Sequence, residues 1–308
     1  MVLIAIYLIS LLPQFKEIHT ALMEYLKILI IPIILGFLIG GVIDYFVPQG
    51  FIYKYLGKKS IGSLFYALVS GLLMSSCSHG ILAISIELYK KGASIPAVIT
   101  FLLASPWANF PITILLISFF GWKGALFILA AMIIALITGA IFLILDKFQM
   151  IESSNVKELG NDYSWDRIKN FDLNNSIRGV LRGSLILSNM VLWWLIVGLI
   201  VTVLINVYVP NHFLMNYFGP TLSGLILTLA VATVFEVCSE GSSLIALEIY
   251  KSVGSFGNPF VFLMAGVVTD YTEIGLLWTN IGRKTAIWLP IIAVPQVVIF
   301  GIIFNKFL

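Results

Sequence analysis

The sequence predicts an all-α fold: a polytopic helical membrane protein of two tandem repeats, each with about four transmembrane segments and broken central helices. Hydrophobic residues make up 60% of the 308 residues and charged residues only 11%, against about 25% charged residues in globular domains. The apolar stretches continue for about 20 residues or more, as a spanning helix requires. They do not alternate as the strands of a barrel do. The third observation is an internal repeat.

Two tetrapeptides mark this repeat, Cys77-Ser78-His79-Gly80 and Cys238-Ser239-Glu240-Gly241. They contain the only two cysteines of the chain, which lie 161 positions apart. Between residues 77–90 and 238–251, seven of fourteen positions are identical. Because a shared offset over this length is poorly explained by chance, we infer a duplication.

The first half divides into a short apolar and amphipathic N-terminal segment, residues 1–25, and a first transmembrane repeat, residues 26–146. The N-terminal apolar piece is only marginally long enough to cross a bilayer. The repeat contains four apolar runs that are long enough. These runs cover residues 28–47, 61–89, 96–120 and 122–145.

A polar linker, residues 147–184, and a second transmembrane repeat, residues 185–308, complete the chain. Four crossings per repeat is an even number, so we expect parallel repeats with the linker and the C-terminal end on one side. The apolar runs of the second repeat cover residues 192–209, 222–250, 258–280 and 285–304.

The second run of each repeat can be threaded through the membrane in two ways. Re-entrant runs leave nine Lys and Arg residues on each side, whereas full crossings with a broken centre leave twelve on the linker side and six opposite. The positive-inside rule favours the full crossings and a cytoplasmic linker. The expected location is the cell (inner) membrane, crossed several times.

The third run of each repeat is expected to break in its middle. In the first repeat, the stretch Ser105-Pro106-Trp107-Ala108-Asn109-Phe110-Pro111 contains two prolines five residues apart, which one regular helix cannot accommodate. The position that matches Asn109 in the second repeat is Asp270. In both threadings these breaks and the two tetrapeptides lie near the bilayer midplane.

The second repeat carries four carboxylates near that depth, Glu236, Glu240, Asp270 and Glu273. An ionisable residue costs at least a few kcal/mol at the midplane, so such residues are usually functional or paired. Four neighbouring carboxylates cannot all ionise, so some hold protons or a bound cation. We predict that Glu236, Asp270 and Glu273 couple transport to protons. The alternative is that protonated acids only tie the broken helices together.

The two cysteines suggest the chemistry of the solute. Thiols beside an imidazole and a carboxylate suit a soft, thiophilic solute such as a trivalent metalloid or a soft metal ion. The alternative is a purely structural role, in which each cysteine is a small buried hydrophobic residue. A metal ion would be held by Cys77, His79, Cys238 and Glu240. The full predicted substrate-binding set is Cys77, Ser78, His79, Asn109, Cys238, Ser239 and Glu240.

Other features exclude several classes of function. Glu87 and Glu248 lie close to the lysines that end their helices, so we predict interfacial salt bridges for both. The sequence has no P-loop, zinc-protease or nucleophile-elbow motif, so we expect no enzyme activity and no cofactor. The net charge of +3 comes from scattered basic residues, which predicts no nucleic-acid partner. The expected partners are the lipid bilayer and a small molecule or ion, and homo-oligomerisation stays open.

The doubled Cys-Ser-x-Gly element, the Ser-Pro…Asn…Pro break and the polar linker resemble the predicted-permease family that includes YraQ and the organoarsenical efflux permease ArsP. The resemblance covers residues 26–146 and 185–308. It implies a multi-pass inner-membrane permease, and the characterised members of the family export trivalent organoarsenicals. The first motif here has His79 where those exporters tend to carry more cysteine.

We therefore predict an integral-membrane secondary transporter that exports a small thiophilic solute, such as a trivalent organoarsenical, a metalloid or a soft metal ion, in exchange for protons. Two alternatives remain open at this point. One is an uncoupled channel for a small solute. The other is a membrane protein for thiol redox chemistry or sulfur transfer, which requires the Cα atoms of Cys77 and Cys238 to lie within about 7 Å of each other.

Overall fold

The computed structural model describes residues 16–46, 56–57, 59–73, 78–90, 92–108, 110–152, 172–208, 215–235 and 239–308. Within these ranges the protein consists of helices joined by turns and short connections, and it contains no β-strand. The all-helical class predicted from hydropathy is therefore confirmed.

Twelve helices occupy the described ranges. α7 begins inside the range predicted as the linker, residues 147–184, so the connection after α6 is shorter than expected. The helices are α1 (Lys16–Phe46), α2 (Ile61–Leu73), α3 (Ser78–Lys90), α4 (Ile95–Ala108), α5 (Phe110–Phe120), α6 (Trp122–Lys147), α7 (Leu173–Tyr208), α8 (Leu222–Phe235), α9 (Ser239–Val253), α10 (Gly257–Thr269), α11 (Tyr271–Asn280) and α12 (Arg283–Phe307).

Helices α2 and α3 form a hairpin whose two ends meet. Ser94, which follows α3, donates hydrogen bonds from its backbone N–H and its hydroxyl to the carbonyl of Leu56, at 3.1 and 3.3 Å. Leu56 precedes α2, so the chain enters and leaves the hairpin at the same end of the molecule. The favoured prediction of a full crossing by residues 61–89 is therefore wrong, because hydropathy does not record where a chain turns back.

Helices α8 and α9 form a second hairpin of the same kind. Asn258, in the first turn of α10, donates from Nδ2 to the carbonyl of Gly219 at 3.3 Å and to Thr228 Oγ1 at 3.1 Å. Gly219 precedes α8, so this hairpin also returns to the end at which it starts. Asn258 is buried and accepts a hydrogen bond from Asn305 Nδ2 at 2.9 Å, which fixes the base of the hairpin to α12.

Two further units are broken helices. The axes of α4 and α5 differ by 49° across a break at residue 109. A single residue, Asp270, separates α10 from α11, and its φ of −55° and ψ of 129° lie outside the helical region. Both interruptions lie where the sequence predicts breaks.

Helices α6 and α12 run in opposite directions. At the start of α6, Lys123 Nζ donates a hydrogen bond to the backbone carbonyl of Leu308, which follows α12. Beyond the end of α6, the Glu152 carboxylate binds the first turn of α12 through Thr285. The prediction of parallel repeats is therefore wrong for these helices, because each hairpin returns to the end at which it starts and does not cross to the other end.

Two ends of the molecule are distinguished by this arrangement. The linker end is where α6 finishes and α12 begins, and the distal end is where α6 begins and α12 finishes. At the linker end, Lys59 forms a salt bridge of 2.8 Å with Asp146, which ties the base of the first hairpin to α6. Helices α1 and α7 also pack against each other in opposite directions, with Gly179 of α7 against the ring of Tyr45 in α1.

Several helices are long and apolar enough to cross a membrane. Three stretches satisfy length and composition, namely Trp122–Lys147, Gly257–Asn280 and Arg283–Phe307, and the bent α4–α5 pair would make a fourth. Helices α1 and α7 contain 31 and 36 residues, which corresponds to about 46 and 54 Å. Since a hydrocarbon core is about 30 Å thick, the fold is that of a multi-pass membrane protein.

A chain of aromatic rings connects the distal end to the break between α4 and α5. The ring centroids of successive neighbours lie 4.9 to 5.4 Å apart, in edge-to-face or tilted contact. Each such pair contributes about 0.5–1.5 kcal/mol beyond the burial of its area. The chain joins both halves of the protein and consists of Tyr250, Phe120, Phe256, Phe304, Phe260, Phe127 and Trp107.

Glu152 caps the N-terminus of α12 from a distant part of the chain. Its carboxylate accepts hydrogen bonds from Lys284 N at 2.8 Å, Thr285 N at 3.0 Å and Thr285 Oγ1 at 2.6 Å. Burial acts to raise the pKa of Glu152, but the hydrogen bonds from Thr285 and Lys284 outweigh it and lower the pKa overall. A Cβ atom at Gly282 would collide with this carboxylate, so the cap requires glycine there.

We expect Glu152→Ala to lower stability by about 1–2 kcal/mol, because it removes the cap of α12. Since the pKa is lower in the folded state, the carboxylate stabilises the fold above the unfolded pKa of about 4.3. This contribution is lost as the pH falls through the folded pKa. Thermal unfolding in detergent at several pH values measures both effects. Glu152→Gln, which keeps an acceptor, should retain part of the stability without the pH dependence, and the same loss of stability at low pH in Glu152→Gln as in the wild type would contradict this.

Candidate transport site at the helix breaks

The sequence-predicted site residues fall at the ends of half-length helices. Cys77, Asn109, Glu236 and Cys238 lie outside the described residues. The backbone of Ser78 and His79 opens α3, and that of Ser239 and Glu240 opens α9. Asp270 and Glu273 lie at the start of α11.

Asp270 is a buried carboxylate that caps a helix in the middle of a span. Its side chain is 3% exposed. Oδ2 accepts a hydrogen bond from the backbone N–H of Glu273 at 3.2 Å, and the backbone N–H of Asp270 donates to Gly266 at 3.3 Å. The residue therefore ends α10 and begins α11, and its negative charge faces the positive end of the α11 dipole.

Glu273 places a second carboxylate one turn further along the same helix. Its side chain is 2% exposed, so both acids are shielded from lipid and from bulk water. Residues three apart lie on one face of a helix. Both predicted acids therefore lie inside the protein at the start of α11.

The start of α9 is lined with small polar residues. Ser239, Ser242 and Ser243 are all fully buried. The first N–H groups of any helix have no partner within that helix, and serine hydroxyls can satisfy such groups without filling much space. This end of α9 is therefore polar although it lies inside the protein.

Each hairpin reaches the break of its own half. In the second half, Thr233 Oγ1 near the end of α8 lies 2.6 Å from Thr269 Oγ1 at the end of α10. In the first half, α2 packs so closely on α4 that a Cβ atom on Gly71 would lie 2.7 Å from Ser105 Oγ. The first arm of each hairpin thus ends beside a broken helix.

The two halves also pack against each other through these half-length helices. α3 of the first half packs against α11 of the second, and α9 of the second packs against α5 of the first. α3 and α11 both run toward the linker end, so they pack in the same direction.

The arrangement has the polarity expected of a solute site. Four helices, α3, α5, α9 and α11, begin at the breaks, and their N-terminal N–H groups and dipoles favour negative charge there. Asp270 and Glu273 add two buried carboxyl groups at one of these breaks. Among the described residues, no group of three or more His, Cys, Asp or Glu side chains is placed to hold a metal ion. The predicted metal set of Cys77, His79, Cys238 and Glu240 therefore stays a prediction.

Glu248 is the residue whose environment sequence reasoning missed. The predicted interfacial salt bridge is wrong for this residue, because its side chain is only 3% exposed and accepts hydrogen bonds from Tyr25 and Asn206. Lys251 instead lies over the ring of Tyr25, with Nζ 4.4 Å from the ring centroid. The sequence contains one sign that a buried polar partner exists on α7, because Asn206 is a polar residue inside an otherwise apolar run.

Comparison with known proteins gives a consistent set of relatives. A family model described as "Predicted permease" (ArsP_1) matches residues 14–306. The UPF0718 protein YcgR of Bacillus subtilis is 25% identical over 281 residues, which cover 89% of this chain and 92% of that protein. No solved structure matches.

Two further relatives come from distant organisms. A protein of Streptococcus mutans named "Putative two-component membrane permease complex subunit" is 24% identical over 252 residues, 80% of each chain. A UPF0718 protein of Methanocaldococcus jannaschii is 30% identical over 122 residues, 38% of this chain and 33% of that protein.

Proposed function

This chain belongs to the ArsP_1 family of predicted permeases, and from that premise we propose that it is a secondary transporter which exports a small thiophilic solute in exchange for protons. The proposed solute site lies where the two hairpins and the two broken helices meet. The observation that carries the proposal is the pair of buried acids, Asp270 and Glu273, at a helix break within the membrane. Ionisable residues at such a position usually serve the transported ion or solute.

We propose that the two halves are inverted repeats. The starts of the hairpin arms and of the broken helices are offset by 161 or 162 residues between the halves, as for Ser78 and Ser239. α6 and α12 run in opposite directions, which an inverted repeat requires. Three crossings and one re-entrant hairpin per half would account for this. Transporters built from inverted repeats place their solute at the midplane between broken helices and open alternately to each side.

The linker end is proposed to face the cytoplasm of the cell, across its inner membrane. Each Lys and Arg that the structure describes can be assigned to one end by its place in its helix. Seven of these twelve fall at the linker end, and the positive-inside rule places the end with more of them in the cytoplasm. The five at the distal end are Lys16, Lys27, Lys123, Lys251 and Lys306.

The distal end is proposed to be the more firmly closed of the two. The aromatic chain seals it, and Lys123 links α6 to α9 through a hydrogen bond of 3.1 Å to the hydroxyl of Tyr250. At the linker end, the positions that match Phe120, Phe256 and Phe260 are all isoleucines, at 281, 95 and 99. Because aromatic pairs contribute more than aliphatic ones, the resting protein would open toward the cytoplasm, as suits the uptake of a solute for export.

The proposed solute follows from the thiols of Cys77 and Cys238 and from the resemblance to arsenical exporters. Thiolates and imidazole prefer soft ions and metalloids over hard ones. Trivalent organoarsenicals and soft metal ions fit this preference. Asp270, Glu273 and Glu236 would take up the exchanged protons, and Ser78, His79, Asn109, Ser239 and Glu240 would complete the solute site.

Flux measured in proteoliposomes, with a trivalent methylarsenical as the probe, tests the proposal. The probe is expected to accumulate in the more acidic compartment, and a proton ionophore should abolish the accumulation. The Cys77→Ser/Cys238→Ser double variant should lose most of the flux. Equal flux with and without the pH gradient would contradict proton exchange, and no saturable flux of this probe or of a soft metal ion would contradict transport of a thiophilic solute.

A further inference from the structure

We propose that Glu248 is an additional proton-carrying group of this transporter, which protons reach from the distal end through a cavity between α1 and α7. This inference rests on the proposed proton exchange and adds an entry point to it. It comes from the burial of Glu248, its two hydrogen-bond donors and the cavity beside them.

Glu248 joins three helices through its carboxylate. Tyr25 of α1 donates its hydroxyl hydrogen bond to Oε2, and Asn206 of α7 donates from Nδ2 to Oε1 at 2.9 Å. Glu248 itself lies on α9, the second arm of the second hairpin. One carboxylate therefore attaches this hairpin arm to the α1–α7 pair.

A cavity of about 460 Å³ lies directly beside this carboxylate. Asn206 lines the cavity and also donates to Glu248, so it separates the two by a single side chain. The cavity lies at the distal end, where α1 begins and α7 finishes. The cavity is open to the surface, and its lining combines charged, polar and apolar residues, namely Lys16, Glu17, Thr20, Ala21, Glu24, Asn206 and Val207.

The charges around Glu248 leave it without a direct cationic partner among the described side chains. Both hydrogen-bond donors are neutral, and the ammonium of Lys251 lies over the ring of Tyr25. A buried carboxylate without a counter-ion is costly when ionised, yet its two donors favour the ionised form. The ionisable groups on this end of the packed elements are Lys16, Glu17, His19, Glu24, Tyr25 and Lys27 on α1, Tyr208 on α7, Tyr250 and Lys251 on α9, and Lys123 on α6.

Protonation would change the attachment of the hairpin. A proton from water in the cavity bonds to one carboxylate oxygen, which becomes a donor, so only one oxygen remains a good acceptor for Tyr25 and Asn206. One of the two donors must then turn away. Ser239, at the start of α9, lies nine residues before Glu248, a distance of about 14 Å along the helix. Protonation of Glu248 would thus change the position of α9, whose first turn lies at the proposed solute site.

The first half provides a matched control. Glu87 is the position that corresponds to Glu248, on the second arm of the first hairpin, and its side chain is exposed. Both are glutamates in equivalent helices, but only Glu248 is buried against α1 and α7. A substitution at each position separates the effect of burial from the effect of losing a glutamate.

Infrared difference spectra of the purified protein in lipid, recorded over a pH titration, test the inference. We expect Glu248→Gln to lose a carboxyl band that titrates in the wild type. Tyr25→Phe, which keeps the ring but removes one donor to the carboxylate, should shift the midpoint of that band. Glu87→Gln should leave the band unchanged. The pH dependence of methylarsenical flux should become flatter in Glu248→Gln.

An unchanged titrating band in Glu248→Gln, or an unchanged midpoint in Tyr25→Phe, would overturn the inference. If Glu248→Gln does not fold, the Tyr25→Phe midpoint decides. The infrared titration needs no transported solute. A missing flux with a normal Glu248 band would therefore count against the proposed function, and a normal flux profile in Glu248→Gln would count against the role of Glu248 alone.

Discussion

Replacing Asp270 by asparagine is expected to leave a folded protein that transports far more slowly. The Asp270 carboxylate accepts the Glu273 N–H bond that begins α11, and asparagine is as good a helix cap as aspartate. The substitution therefore removes the charge and the titratable proton but keeps the cap. We expect roughly a tenfold to hundredfold loss of flux, the size associated with a hydrogen bond to a charged group.

The first half of the chain supports the expectation that asparagine fits. Asn109 stands at the position that matches Asp270, so the same kind of break carries an amide in one half and an acid in the other. A role in structure alone would be served by either residue. Only a role in charge or proton transfer would distinguish them.

Asp172→Asn is the control for this variant. Asp172 also precedes a helix, α7, and its Oδ2 accepts from Asn175 Nδ2 at 2.6 Å, but it is exposed. Flux of the methylarsenical probe and thermal unfolding are measured for both variants. Wild-type flux in a folded Asp270→Asn protein would show that the acid has no part in transport.

Leucine at position 71 is expected to separate the first hairpin from α4. A Cβ atom on Gly71 would already lie 3.2 Å from the Cα atom and 3.3 Å from the backbone nitrogen of Ser105. These are backbone atoms of a buried helix, so they cannot move aside as a flexible side chain would. Overpacking of this kind typically costs about 1–3 kcal/mol, and a branched side chain lies at the upper end of that range.

Gly62→Leu, on the same helix, provides the comparison. Gly62 is exposed, and its nearest neighbour would be Ser60 Oγ at 3.7 Å. We expect Gly71→Leu to lower the unfolding temperature and to abolish flux, while Gly62→Leu should behave like the wild type. Equal unfolding temperatures for the two variants would mean that α2 and α4 do not pack as described.

The sequence predicts the class of the fold and the places where its helices break. Hydropathy separates segments that lie in an apolar environment from segments that face water, so it identifies the candidate membrane helices. Proline at 106 and 111, and the polar residues that match each other at 109 and 270, report where a regular helix cannot continue. The burial of Asp270 and Glu273 follows from the same reasoning, since acids in an apolar run are kept away from lipid.

The direction of the chain could not be obtained in this way. A mostly apolar run of 29 residues with a few polar residues at its centre has the same composition whether it crosses the membrane or turns back. Only the contact between Ser94 and Leu56 distinguishes the two. Once the hairpins are known to return, the antiparallel course of α6 and α12 follows. The partners of Glu248 were equally hidden, because Tyr25 lies 223 residues away in the chain.

The central proposition is that the tips of the two hairpins meet at one solute site. Cys77 and Cys238, the only cysteines, allow it to be tested in the otherwise unaltered chain. A protease site inserted into the connection after Glu152 would divide the chain between the two cysteines. A short bis-maleimide is then added to the membranes before cleavage, with the two single Cys→Ser variants as controls.

We expect the two fragments of the cross-linked protein to migrate together on a denaturing gel and to separate in both controls. Pretreatment with a trivalent phenylarsenical, which binds two thiols at once, should block the cross-link. If the fragments separate although a monofunctional maleimide labels both cysteines, the tips do not meet and the proposed site does not exist.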